Sequence, residues 1–309
     1  MPLAALADAT RHRRTVLPVL AALALALAQA GARAETDKLL LTGGVTSIDG
    51  AAGGGLTPWA VIGSNATEGE LGVAATASVV STRNYTMQVR GLLLAYDDRC
   101  ELSFAQQDFA TGATGRALGL PGLHLRMDML GAKVRLLGDA VLDSDSWVPQ
   151  VAAGVEIKDT YAGGLKPTLQ ALGAHTNGFD YYLSATKLFL AQGILVNGTL
   201  RATKANQNGL LGFGGAGHDS YQLEPEFSVA WLANRTLAFG AEYRRKPDNL
   251  NPSPLGAGLK EDDWYDMFTA WAPTKNVSLT VAYVQLGHIV PAVATKKQAG
   301  GYASAQFAF

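Results

Sequence analysis

Beyond its first 30 or so residues, the sequence has no long apolar segment. A membrane-spanning helix needs roughly 20 consecutive apolar residues, which excludes an α-helical membrane protein. The single apolar run, Val16–Ala28, is too short to span, follows Arg11, Arg13 and Arg14, and precedes the small-x-small triplet Ala32-Arg33-Ala34. This order is typical of a secretory signal peptide.

We therefore predict a cleavable signal peptide over residues 1–34 and an exported mature chain over residues 35–309. An N-terminal membrane anchor is the alternative that the same segment leaves open. Removing residues 1–34 takes away four basic residues and one acidic residue, so the formal charge falls from -1 to about -4. The mature chain has no basic block, and we expect no nucleic-acid partner.

Cysteine and charge are scarce. Cys100 is the single cysteine, so no internal disulfide framework is expected, and it lies too far from the cleavage site to carry a lipid anchor. Charged residues make up 17% of the chain, whereas glycine is abundant with 35 residues. This composition suits many β-strands connected by turns.

Apolar and polar side chains alternate over most of the mature chain. In Arg235–Lys246, for example, Leu237, Phe239, Ala241 and Tyr243 share one side of an extended strand. Successive side chains of a strand point to opposite faces, so such a segment has one apolar face. Similar segments are Glu70–Val80, Tyr85–Asp97, Arg99–Asp108, Leu123–Met129, Trp147–Glu156, Phe179–Thr186, Gly193–Lys204, Asp219–Leu232 and Asn276–Leu286.

The length and spacing of these segments favour a membrane barrel over a soluble β-sandwich. Many run ten to thirteen residues, which suits tilted membrane strands better than globular ones. Short turns alternate with long Gly-rich loops, as in outer-membrane barrels. We predict an all-β, transmembrane, antiparallel up-and-down β-barrel of about twelve strands. Fourteen strands are possible if residues 35–66 form a first hairpin of the wall, and a Gly-rich plug is the other possibility for that segment.

The chain ends on alternating aromatic residues, Phe307 and Phe309. A terminal aromatic strand resembles the closing strand that the barrel-assembly machinery recognises. We therefore expect that machinery, outer-membrane lipid and lipopolysaccharide as partners, in the outer membrane of a Gram-negative bacterium.

Polar faces of the predicted strands supply the candidate functional residues. If every apolar face meets lipid, the lumen receives charges of both signs, because lipid-facing Arg or Lys near the midplane costs roughly 2–4 kcal/mol. One interpretation is a solute path with charge selectivity, and the other is a set of ion pairs that closes a narrow lumen. The predicted set is Arg90, Glu101, His124, Arg126, Asp128, Glu156, Arg201, Glu224, Glu226, Glu242 and Arg244.

Two further clusters contain residue types that could catalyse a reaction or bind a metal ion. His218 and Ser220 are two residues apart before a strand, and a barrel lipase would need such a base and nucleophile. The acidic cluster Glu261–Asp266 lies beside aromatic residues and resembles a solvated loop edge more than a calcium site. We expect no catalytic residues, no metal and no cofactor.

Three segments are similar to a known family: Leu39–Ser64, Lys187–Gly215 and Lys260–Gly287. They resemble a family of uncharacterised proteobacterial proteins catalogued as domain of unknown function (DUF) 3034. The resemblance covers essentially the whole mature chain and implies an outer-membrane setting. It implies no activity, ligand or catalytic residue.

The function expected from these features is a narrow porin-like channel or facilitator for small solutes. A non-transporting structural or assembly barrel with an ion-paired lumen is the main alternative. A lipid-acting barrel enzyme that uses Ser220 and His218 is a third possibility.

Overall fold

The computed structural model describes residues 38–141, 146–254 and 256–309. Twelve long antiparallel strands form a closed barrel, and two short strands, β1 (Val45–Thr46) and β2 (Ala52–Gly53), pair with each other inside it. The wall strands are β3 (Leu71–Thr82), β4 (Thr86–Tyr96), β5 (Cys100–Ala110), β6 (His124–Leu137), β7 (Gln150–Tyr161), β8 (Asn177–Phe189), β9 (Ile194–Thr203), β10 (Gln222–Asn234), β11 (Leu237–Arg244), β12 (Trp264–Thr274), β13 (Val277–Gln285) and β14 (Ala299–Ala308).

Each wall strand pairs with its neighbours in the sequence, and β14 closes the barrel against β3. The terminal Phe309 exchanges backbone hydrogen bonds with Val73, at 2.8 and 2.9 Å, so the seam is paired to its last residue. Closure removes every strand edge, which lipid could not satisfy with hydrogen bonds. The predicted up-and-down barrel is confirmed, with twelve strands rather than fourteen.

The connections differ at the two ends of the barrel. At one end, which we call the short-turn end, four of the five connections have two to four residues, and residues 138–149 form the longer fifth. At the long-loop end, five connections have thirteen to nineteen residues, and the sixth, residues 83–85, is a tight turn. Two short helices, α1 (Gly112–Ala117) and α2 (Lys166–Ala171), lie in these loops. No helix among the described residues is long and apolar enough to cross a membrane.

Most of the outer face is apolar. Tyr243, Tyr265 and Tyr283 point outwards near the long-loop end, and Trp231 and Trp271 do so towards the short-turn end. Apolar bands between aromatic girdles are the outer surface of barrels that sit in lipid. The face turned to lipid on β8 to β14 is therefore the apolar one, as the alternation predicts.

Residues 45–64 fill the lumen and are nearly all buried. The chain turns back sharply after β2. A Cβ added to Gly53 would lie 1.9 Å from the carbonyl oxygen of Thr57. A side chain at this position is sterically excluded, so the turn depends on glycine. We call residues 38–66 the plug.

Candidate functional site

The plug carries one buried carboxylate, Asp49, into the centre of the lumen. Its Oδ2 atom lies 2.7 Å from Nη1 of Arg244 and 3.5 Å from Nη2 of Arg201, and Oδ1 lies 3.7 Å from Nζ of Lys158. Nδ2 of Asn208 donates a hydrogen bond of 2.6 Å to Oδ1. The plug is thus joined to strands β7, β9 and β11 and to an inward-folded loop.

Three wall carboxylates complete this charged cluster. Arg201 contacts Glu226 at 2.5 Å, Glu156 at 2.7 Å and Asp180 at 3.4 Å. Lys158 lies 2.8 Å from Asp180 and 3.2 Å from Glu156. All these side chains are 3% exposed or less. Four acids, including Asp49, therefore face three bases, Arg244 among them, inside the barrel, and we call this set the central ion cluster.

Two other wall carboxylates hold the plug backbone. Glu101 accepts hydrogen bonds from the amides of Ala52 at 3.0 Å and Gly63 at 2.9 Å, and it pairs with Lys133 at 3.0 Å. Because these groups are buried, each lost partner would leave an unsatisfied charge or amide.

Glu242 holds the next part of the plug in the same way. It accepts hydrogen bonds from the amides of Leu56 at 2.7 Å and Thr57 at 3.2 Å, and from the Thr57 hydroxyl at 2.6 Å. Nη2 of Arg244 also donates to the Leu56 carbonyl. The plug is consequently bonded to wall strands on opposite sides of the barrel.

An apolar cavity lies between the plug and the long loops. The plug supplies Ile48 and Leu56, the loops Leu211 and Ile289, and the wall mainly apolar side chains. The wall residues are Val80, Met87, Phe109, Leu125, Phe268, Ala282 and Val284. They stand in the long-loop half of strands β3 to β6, β12 and β13.

Four polar atoms of residues that line this cavity have no hydrogen-bond partner in the described part of the chain. They are the indole Nε1 of Trp264, Oδ1 of Asp266 and the hydroxyls of Thr280 and Tyr302, and all four residues line the cavity. Buried polar groups are normally paired, so an unpaired group calls for a specific explanation. An indole donor, a carboxyl oxygen and two hydroxyls in an apolar chamber suit a small solute with an apolar body and one polar group.

The eleven charges predicted to face the lumen divide into two groups. Seven are buried inside the barrel: Glu101, Glu156, Arg201, Glu224, Glu226, Glu242 and Arg244. The other four, Arg90, His124, Arg126 and Asp128, stand on the outer face, and their predicted inward orientation is wrong. The reason is packing. The alternate residues of β4 and β6, such as Met87 and Met127, are apolar and face the plug, the loops and the cavity.

Sequence reasoning missed five charges of the plug and the inner wall: Asp49, Lys133, Lys158, Asp180 and Asp266. Lys158 and Asp180 lie on the polar phase of β7 and β8, so the alternation held a signal for them. Asp49 sits in a Gly-rich segment without periodicity, where no pattern indicates a buried charge.

His218 and Ser220 are exposed in the loop before β10, and no hydrogen bond joins them in the described structure. The residue between them, Asp219, contacts Nζ of Lys204 at 2.8 Å. Within the described residues, no group of three or more His, Cys, Asp or Glu side chains could hold a metal ion.

The acidic cluster is not the solvated loop edge that the sequence predicts, because Glu261 and Asp266 are buried. Asp266 lies on β12, whereas Glu261 and Asp262 tie the long loops together. Glu261 pairs with Lys246 at 3.0 Å, and burial raises the pKa of Glu261 and lowers that of Lys246. Asp262 accepts hydrogen bonds of 2.9 Å from the amide of His288 and 2.5 Å from its ring Nδ1. Burial opposes ionisation of Asp262, but the His288 bonds outweigh it and lower the pKa of this carboxyl. Asp262 therefore fastens the β13–β14 loop above the cavity.

This contact predicts an acid-sensitive loop. Because the pKa of Asp262 is lower in the folded protein, its stabilisation is present above the usual carboxyl pKa and is lost as the pH falls through the folded value. We expect residues 286–298 to become mobile only when the pH falls well below the usual carboxyl pKa of about 3.9. A nitroxide at residue 296, in a Cys100→Ser background, should report this by electron paramagnetic resonance. In Asp262→Asn the label should be mobile at pH 7 already, and an immobile label there would contradict the assignment.

A closed antiparallel barrel with an apolar outer face, short turns at one end and long loops at the other defines an outer-membrane β-barrel. The signal peptide predicted for residues 1–34 lies outside the described residues. The chain belongs to DUF3034, a family of proteins of unknown function, whose model matches residues 42–306. No curated protein matches the sequence.

Several solved barrels are similar in fold at very low sequence identity. The KdgM porin has 8% identity and a TM-score of 0.46, and the NanC porin has 7% identity and a TM-score of 0.47. Each alignment covers 77% of this chain and 99% of the other. The Acinetobacter baumannii outer membrane protein Omp33 has 10% identity and a TM-score of 0.39, over 78% of this chain and 99% of that one.

Proposed function

We propose that this protein is an outer-membrane facilitator for small solutes, and that its solutes have an apolar body with one polar group. The observation that carries the proposal is the apolar cavity with four unpaired polar atoms, at Trp264, Asp266, Thr280 and Tyr302. A structural barrel gains nothing from such atoms, because each unpaired buried group costs roughly 1–3 kcal/mol.

The position of the cavity fits an uptake route. It lies beneath the long loops, which in outer-membrane barrels face the exterior, and its floor is the plug at Ile48 and Leu56. A solute would bind there first and pass when the plug shifts. The route differs from an open porin, since the plug occupies the lumen below the cavity.

Binding can be measured with 4-ethylphenol, which has an apolar ring, an ethyl group and one hydroxyl. The cavity volume of about 50 Å³ is smaller than the roughly 150 Å³ that takes up benzene, so binding requires the plug or the loops to move apart. We expect saturable perturbation of the fluorescence of Trp264, lost in Trp264→Phe. Thr280→Val should weaken binding by roughly threefold to tenfold, because one hydrogen bond is worth about 0.5–1.5 kcal/mol.

A matched pair of variants tests whether the cavity is the site. Ala282→Trp fills the cavity, whereas Val281→Trp places the same side chain on the outer face of the same strand. We expect Ala282→Trp to abolish binding and uptake of 4-ethylphenol into vesicles, and Val281→Trp to leave both unchanged. Equal uptake of 4-ethylphenol by the two variants would contradict the proposal.

The second candidate is a non-transporting structural barrel, and the central ion cluster favours it. Such a cluster closes the lumen between β7 and β11. A folded barrel that neither binds 4-ethylphenol nor admits it to vesicles would support this alternative.

We also propose that the barrel has no catalytic activity and is inserted by the barrel-assembly machinery through its C-terminal Phe309, among lipopolysaccharide and other outer-membrane lipids. Loss of phospholipid hydrolysis in Ser220→Ala would instead support the lipase with His218 as its base. Removal of Phe309 should lower the amount of folded barrel in the outer membrane.

A further inference from the structure

One sector of the outer wall is polar. On the described wall strands, the outward-pointing charges are Arg90 on β4, Asp108 on β5, three residues on β6 and Asp159 on β7, with Lys187 on β8 as the exception. The β6 residues are His124, Arg126 and Asp128. Lys187 is 7% exposed and donates to the Val148 carbonyl at the short-turn end. We call the charges on β4 to β7, with Gln106, the polar sector.

The polar sector reaches deep into the wall. Arg90, Gln106 and Asp128 each lie four residues from the long-loop end of their strands. At roughly 3.3 Å per residue this is about 13 Å along the strand. Val281, four residues from the same end of β13, is apolar and 57% exposed. Val281 belongs to the apolar band that suits lipid, whereas Arg at comparable depth would cost up to roughly 2–4 kcal/mol in lipid.

The charges of the sector are complementary to one another. Asp108 contacts His124 and, at 3.1 Å, Nε of Arg126, and Asp128 accepts a hydrogen bond of 2.8 Å from Gln106. Arg90 has no ion-pair partner among the described residues. The ladder places Arg90, Gln106, Asp128 and Asp159 in one row, with a base at one end and two acids at the other.

We propose that the polar sector is the interface of a homodimer with a two-fold axis along the membrane normal. An axis that passes near Gln106 sets β4 of one copy against β6 of the other. Arg90 of each copy then faces Asp128 of its partner, as a self-complementary two-fold contact requires. Burial between two barrels removes the polar sector from lipid.

Lipopolysaccharide fits this surface less well. Its phosphates need an excess of positive charge, yet three aspartates face two arginines and one histidine here. No group of acidic side chains in the described residues could hold a bridging metal ion either. Arg90 and Asp128 also lie four residues from the long-loop end of their strands, deeper in the wall than the outward-pointing Tyr265 and Tyr283.

Cysteine cross-linking in outer membranes tests the proposal on the full chain. In a Cys100→Ser background, Gln106→Cys should give a disulfide-linked dimer on mild oxidation. Ala241→Cys is the matched control, because β11 lies across the barrel from β5 and Ala241 faces outwards at similar depth. We expect no dimer from the control.

Charge exchange then tests the contact itself. Arg90→Asp should lower the cross-linked fraction roughly tenfold, since it sets like charges against each other. Arg90→Asp combined with Asp128→Arg should restore it. The proposal is overturned by a monomeric Gln106→Cys barrel, by a cross-link to a different protein, or by a monomer whose bound lipopolysaccharide is lost in Arg90→Asp.

Discussion

Arg201→Met is expected to destabilise the folded barrel by roughly 3–5 kcal/mol, the usual cost of breaking a buried ion pair from one side. Arg201 lies within 3.5 Å of four carboxylates, which belong to Asp49, Glu156, Asp180 and Glu226. Its removal leaves those four acids with two bases, Lys158 and Arg244. Water cannot compensate, because these side chains are buried.

The measurement is urea-dependent unfolding in lipid vesicles, followed by the shift in gel mobility on heating. Arg235→Met is the matched control, since Arg235 is exposed in the two-residue turn between β10 and β11. The double variant Arg201→Met/Glu226→Gln should lose less stability than the two single changes added together, with a coupling of roughly 0.5–3 kcal/mol. Strict additivity would mean that the 2.5 Å contact contributes nothing.

Much of the wall could be predicted from the sequence because lipid imposes one simple rule. On β10 and β13 the outward side chains are apolar and the inward ones mostly polar or small. The two-residue alternation therefore indicates directly which side chains face outwards. β12 did not stand out in the same way, since Met267 and Phe268 make both of its faces apolar. Its inner face lines the cavity and also packs into a second cluster of buried apolar side chains.

The orientation of β4 and β6 could not be predicted by that rule. It assumes a polar lumen, but the lumen beside these strands is lined by Met87, Val89, Met127 and Met129. Their polar residues consequently face outwards. Alternation fixes which residues share a face, and the contents of the barrel decide which face is the inner one.

The candidate site depends on contacts that no local pattern contains. Asp49 meets Arg244, and Glu242 meets Leu56, across most of the length of the chain. The Gly-rich composition of the plug indicates that its backbone turns tightly, but it does not indicate which residues the plug hydrogen-bonds to. The cavity exists because plug, loops and wall leave space between them, which follows only from the assembled fold.

The second large effect is expected from releasing the plug. Glu101 and Glu242 together accept five hydrogen bonds from residues 52–63 of the plug. The wild-type barrel should show no steady conductance, because the plug fills the lumen. Changing both glutamates to alanine removes these acceptors while the wall strands keep their own backbone pairing. We therefore expect the double variant to form a folded barrel whose plug leaves the lumen intermittently.

Planar-bilayer recordings should then resolve discrete current steps for Glu101→Ala/Glu242→Ala and none for Glu68→Ala, which removes an exposed carboxylate beside the plug. The steps should be larger in a chain that lacks residues 38–66 altogether, because no segment then re-enters the lumen. Uptake of 4-ethylphenol by the double variant should lose its saturation, since solute no longer has to bind above a closed floor. A folded, heat-modifiable double variant without current would show that other contacts, led by Asp49 in the central ion cluster, suffice to keep the lumen shut. In that case the plug is a permanent part of the barrel core. That result would favour a non-transporting structural barrel over a facilitator for small solutes.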